Sequence, residues 1–150
     1  MTQVTFPPRL DAARVALRVG LGLAAFLAGL DKFFGLLADW PGYLAPAIAA
    51  ILPLSAQALM RVVGVVEMAV GAAILTRWPR EGAAVAAAWL VLIAGNLVLS
   101  GHFFDVAVRD IEMAIAAFAL VRLTEAHDAP AVAANVPSSA SGPKRSEVAA

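Results

Sequence analysis

The chain has 150 residues, 61% of them hydrophobic and 15% charged, with a mean hydropathy of +0.82. Soluble domains run about 45–50% apolar with about 25% charged residues, so an ordinary soluble enzyme is excluded. Eleven basic residues balance eleven acidic ones and there is no cysteine. That removes a basic nucleic-acid footprint, disulfides, thiolate catalysis and cysteine-bound metal centres.

A spanning helix needs about 20 mostly apolar residues. Four stretches are predicted to qualify: residues 12–37, 58–75, 83–99 and 103–123. The first has a clean apolar run, Val19–Leu30, with Arg14 and Arg18 before it and Asp31-Lys32 after it. Between the first two spans lies an apolar but short segment, residues 43–54, cut by Pro46 and Pro53. It is too short to cross and reads as re-entrant or interfacial, with Trp40 and Tyr43 beside it as an aromatic belt. The second span is interrupted by Arg61 and Glu67. The third carries no charge and one amide, Asn96. The fourth opens with Arg109, Asp110 and Glu112. Short turn-like links around Pro79 and Gly101 make neighbouring helices antiparallel, as in an up-down four-helix bundle. Residues 124–150 lose their large apolar side chains, and the expectation is a disordered cytoplasmic tail. The fold class is therefore all-α, an integral membrane four-helix bundle.

Positive charge in short loops sets orientation. Arg9, Arg14, Arg18, Arg77, Arg80 and Arg122 fall on one side, and Lys32, Arg61 and Arg109 on the other. Both termini are expected in the cytoplasm, in a multi-pass protein of the cytoplasmic (inner) membrane. A cleaved signal peptide is the competing reading of the N-terminus, against which Arg18 interrupts the apolar stretch.

Ionisable residues at membrane depth are costly and are functional hypotheses by default. Glu67 is the clearest case. Gly64, Glu67 and Gly71 share one helical face, where small residues let another helix approach closely. Arg18, Gly22, Ala25, Gly29 and Lys32 form a similar stripe on the first span, and Asp105, Arg109, Glu112 and Ala116 one on the fourth. The topology puts Lys32, Asn96 and Arg109-Asp110 in the outer half, with Glu67 deeper. A buried polar cluster is expected there. Its candidate ligand- or proton-binding residues are Glu67, Lys32, Asp31, Asn96, Arg109 and Asp110. Arg14 and Arg18 read as inner-face anchors. The alternative is that these charges only hold four marginal helices together.

Other chemistry finds no foothold. His102 and His127 are the two histidines, and a transmembrane bis-histidine haem within one chain does not follow. No metalloprotease, phosphate-loop or dinucleotide motif occurs. No catalytic residue and no metal ligand is predicted, and no cofactor belongs to the chain itself.

The run from Arg14 to Gly22, continuing through Ala28-Gly29-Leu30-Asp31-Lys32-Phe33, resembles the first span of DoxX-like membrane proteins. Gly64-Val65-Val66-Glu67-Met68-Ala69-Val70-Gly71 resembles that family's second-span glutamate-glycine pattern, and Arg109-Asp110 a basic-acidic pair opening its last helix. The resemblance covers roughly residues 12–123. It implies a four-helix bundle in the cytoplasmic membrane and an accessory role in membrane redox or respiratory complexes. It carries no agreed catalytic residues.

Three functions therefore stand open. The first is an accessory subunit whose outer cluster binds a quinone headgroup, a proton or a partner. The second is a small solute or proton permease using Glu67, and the third a structural scaffold without a ligand. The expected partners are the lipid bilayer, a membrane oxidoreductase subunit or further copies of the chain, and not nucleic acid. A permease needs a water path to Glu67. A quinone site should place aromatic residues such as Phe33, Phe34 or Phe104 beside the polar groups. A scaffold should be closed and dry, with every charge partnered.

Overall fold

The computed structural model describes residues 6–129, all helix, turn and loop with no strand among them. Helix α1 spans Pro8–Asp31, α2 Pro46–Ile51, α3 Ala56–Leu75, α4 Pro79–Ser100 and α5 Phe104–Asp128. A short 3₁₀ turn, Trp40–Tyr43, precedes α2. Helices α1, α3 and α4 are each long and apolar enough to cross a membrane. Helix α5 matches them in length, but its first turns are diluted by Asp105, Arg109, Asp110 and Glu112.

Several boundaries differ from expectation, each for a local reason. Helix α1 starts four residues early because Pro8 occupies its first turn, where a missing N–H costs nothing and φ is already helical. It stops at Asp31 rather than Leu37, and Gly35 turns the chain with a φ of +64°. Pro79 likewise opens α4 four residues before the expected start. The expected tail begins too early. Helix α5 continues through Thr124, which is buried, and its hydroxyl donates to the Leu120 carbonyl. Arg80 and Arg122 both reach Glu125 on that last stretch. Residues 130–150 lie outside the described part of the chain. The segment 43–54 is not one element: it is the end of the 3₁₀ turn followed by the six-residue α2.

The long helices pack side by side, α1 on α3, α3 on α4, α4 on α5 and α5 back onto α1. Gly29 lies against Gly64 and Gly22 against the end of α3, while Gly71 meets the backbone of Gly22 and Phe26. Contacts that rise on one helix as they fall on the other make α1 and α3 antiparallel. A Cβ on Gly29, Gly64 or Gly71 would sit within 2.6 Å of a backbone oxygen opposite. These glycines therefore set the interhelical distance, as small residues do between apolar helices.

One core cluster joins Leu21, Ile74, Ala83, Ala86, Ala117 and Leu120, with Leu17, Val70 and Met113 packed against it. It closes the half of the molecule that holds the N-terminus of α1. A smaller cluster of Ala94, Leu97 and Ala107 takes Tyr43 and Val106 against it near the opposite end. Between α1, α3, α4 and α5 on that side, the helices do not fill the space.

Candidate functional site

The close α1–α3 contact is what builds the site. With Gly29 seated on Gly64, the next turn of α1 brings Lys32 over Glu67. The Lys32 Nζ donates to Glu67 Oε2 at 2.5 Å. Both side chains are at least nine-tenths buried. Two charges taken out of water cost several kcal/mol each, and only close pairing offsets this. Lys32 also lies 3.7 Å from the centroid of the Trp40 ring, a cation–π contact that adds a second partner for the ammonium. Glu67 and Lys32 are thus brought together as a buried ion pair.

Two other candidates hold the chain that covers the site. Asp31 accepts from the backbone N–H of Leu36 and Leu37 and from the Trp40 indole N–H. Its carboxylate fixes the turn after α1. Asn96, from α4, donates its amide to the Tyr43 carbonyl at 2.7 Å and accepts from the Ala45 N–H at 2.9 Å. Both of its functional groups are spent on backbone. Asp31 and Asn96 therefore position a roof of residues 36–45, and their polar atoms point at that roof.

Arg109 and Asp110 are separated by the helix phase. The buried face of α5 is Ala107, Asp110, Ala114, Ala117, Leu120 and Thr124, at the three- and four-residue spacing of one helical stripe. The expected stripe of Asp105, Arg109 and Glu112 is a different face, and all three residues are exposed. Arg109 keeps 65% of its side chain exposed, against 9% for Asp110, with 4.0 Å between Arg109 Nε and Asp110 Oδ1. No hydrogen-bond donor among the described residues meets the Asp110 carboxylate.

All of these candidates except Asp31 line one cavity of about 680 Å³, bounded by all four long helices and by the roof. Its polar lining includes Lys32, Glu67, Asn96, Arg109 and Asp110, and its aromatic lining Trp40, Tyr43 and Trp89. The rest is alanine, leucine, isoleucine, valine and methionine. Ala24, Ala25 and Ala28 form the α1 wall, so the empty volume follows from small side chains where a core would carry leucine. A mostly apolar cavity of this size with a few convergent polar groups is the usual form of a small-molecule site. Trp89 lines the cavity with its ring, while its indole N–H is fully buried without a hydrogen-bond partner among the described residues.

Sequence reasoning missed three residues here. Trp89 is a lone tryptophan in the middle of an uncharged span, which is itself a signal. Trp40, read as a belt residue, contacts both Asp31 and Lys32. Arg18, read as an anchor, donates to the carbonyls of Ile74, Leu75 and Thr76 and so closes the C-terminus of α3. Phe33, Phe34 and Phe104, the expected aromatic partners, are exposed and do not line the cavity.

Among the described residues no group of histidines and carboxylates is arranged to hold a metal ion. Family models, curated proteins and solved structures provide no match to the chain.

Proposed function

We propose that the chain is a four-span membrane protein whose cavity binds the polar end of a lipid-soluble small molecule. The observation that carries this is the unfilled 680 Å³ space bounded by a buried ion pair and by Asp110. A scaffold has no use for a void, since unfilled volume in a packed interior costs stability. A permease needs a continuous path, and Ile74, Ala117 and Leu120 are completely buried across the other half.

Two features support the fourth span and the interfacial roof. Val108, Ile111, Ile115 and Phe118 form an exposed apolar stripe along α5, the face that lipid would cover. Leu36, Leu37, Ile51 and Leu54 are exposed around α2, where an interfacial segment would dip its side chains. The arginine asymmetry supports both termini in the cytoplasm. The resemblance to DoxX-like proteins supports an accessory role beside a membrane oxidoreductase, with a quinone headgroup as a fitting ligand class.

The test is purification of the tagged protein from its native membranes in mild detergent, followed by mass spectrometry of co-purifying proteins and extracted lipids. Near-stoichiometric recovery of a lipid-soluble ring compound or an oxidoreductase subunit is expected. Recovery of the chain with bulk phospholipid alone would overturn the binding function.

A further inference from the structure

The buried charges of the described residues do not balance. Asp31, Glu67 and Asp110 are buried carboxylates, and among those residues Lys32 is the buried cation. Asp31 is met by two backbone N–H groups and the Trp40 indole. That leaves Glu67 and Asp110 to share Lys32. Its Nζ goes to one oxygen of Glu67, Oε2, and to the Trp40 ring. Asp110 lies close enough for the charges of Glu67 and Lys32 to act on it. Its nearer counter-ion is Arg109, 4.0 Å away and largely exposed. That separation is too long for a hydrogen bond, and an ion pair with so exposed a partner is weak.

Both carboxylates keep free surface. Glu67 Oε1 and the Asp110 oxygens take no hydrogen bond among the described residues, yet they are not enclosed as the Trp89 nitrogen is. Both residues line the cavity, which is the space these oxygens open to. A carboxylate in an apolar surround without a full counter-charge is costly, and a cation brought beside it removes that cost. We propose that the cavity selects a lipid-soluble amine in its protonated form, its ammonium held by the surplus carboxylate charge of Glu67 and Asp110. The apolar body of the amine fills the space lined by Ala24, Ala28 and Met113. This deepens the ligand-binding function proposed above and rests on it.

The aromatic lining suits the same guest. Trp40 and Tyr43 line the cavity with ring planes 66° apart, and Trp40 already carries the Lys32 ammonium on its face. Aromatic rings set around an ammonium are a recurrent means of recognising it. Other guests fit the charge count less well. An anionic headgroup would add a third negative charge beside one ammonium. A quinone headgroup, toward which the resemblance points, accepts hydrogen bonds as the carboxylates do and supplies no charge. A bare inorganic cation leaves the apolar remainder empty, and among the described residues no group of histidines and carboxylates is arranged around one.

The test measures binding of tritiated dimethyl(phenylbutyl)amine to the full chain in zwitterionic lipid nanodiscs at neutral pH. The matched probe is its tritiated uncharged isostere, with CH in place of the ammonium NH, and empty nanodiscs give the bilayer background. Saturable binding is expected, the amine at least about tenfold tighter than the isostere at equal bilayer concentration, as one hydrogen bond to a charged group provides. Asp110→Asn removes the surplus charge and should bring the two probes within about threefold of each other. Arg109→Gln removes the cation that competes for Asp110, and should tighten the amine several-fold without changing the isostere. Ala28→Phe fills the cavity and should abolish saturable binding of both. An isostere that binds the native chain as tightly as the amine, and is lost in Ala28→Phe, would overturn the ammonium assignment while leaving a ligand site standing. So would an amine affinity unchanged in Arg109→Gln. If neither probe binds saturably, or both bind Ala28→Phe as they bind the native chain, the ligand site itself fails. Should Asp110→Asn fail to fold, the native comparison and the exposed Arg109→Gln variant still decide.

Discussion

Gly29→Ala tests the contact on which the site depends. The added Cβ would stand 2.5 Å from the Gly64 carbonyl oxygen and 2.8 Å from the Met68 nitrogen. Both are backbone atoms, so no rotamer change relieves the clash. Ordinary contact begins at 3.4 Å, so the helices must part by about 0.9 Å, an overpacking that costs about 1–3 kcal/mol. Alanine also gains about 1 kcal/mol over glycine in a helix interior. Gly20→Ala is the control, since its Cβ meets nothing within 4 Å. Both variants carry the propensity gain, so it roughly cancels between them. The expected difference is the overpacking alone, about 1–3 kcal/mol. Equilibrium unfolding in mixed micelles, titrated with a denaturing detergent and followed by tryptophan emission, measures it. If the two variants unfold within about 0.5 kcal/mol of each other, within the usual range of neutral surface changes, then Gly29 does not set the α1–α3 distance.

Two further outcomes follow from the site. Lys32→Met leaves Glu67 buried alone and should cost about 3–5 kcal/mol, whereas adding Glu67→Leu should recover most of it; the same titration checks this, and a double variant no more stable than the single one would refute the pairing. Asn96→Leu strips the Ala45 N–H and the Tyr43 carbonyl of their partners, at about 1–3 kcal/mol for each group left buried. Amide exchange at Ala45 should rise well above that of α3, and an unchanged rate would show that Asn96 does not hold the roof.

The parts of this architecture that were legible in the sequence share one property. The Gly64–Glu67–Gly71 face and the Gly22–Gly29 stripe stand out because glycine is rare in a helix unless a neighbour needs the room. Lys32 could be named a partner of Glu67 because a long side chain reaches down from the outer half to mid-depth. The α5 phase was misread for a physical reason. Charges at Asp105, Arg109 and Glu112 draw attention, yet an alanine ladder through Ala107, Ala114 and Ala117 marks the packed face. Asp110 lies on that ladder and Arg109 does not. The assignments of Asp31 and Asn96 to backbone were illegible because the roof they hold has no periodicity to read. The early starts of α1 and α4 were available from Pro8 and Pro79, whose place in the first helical turn is a known preference.

The Trp40 ring is gripped from two sides by consecutive residues: Asp31 takes its N–H and Lys32 sits on its face. Lys32 is at the same time half of the buried ion pair. The covering loop and the centre of the bundle are therefore thermodynamically linked. A guest that draws the ammonium away from Glu67 also withdraws a cation from Trp40 and loosens the loop. Coupling of this kind is reciprocal: any contact that lifts the loop must alter the affinity of the cavity for such a guest by the same factor.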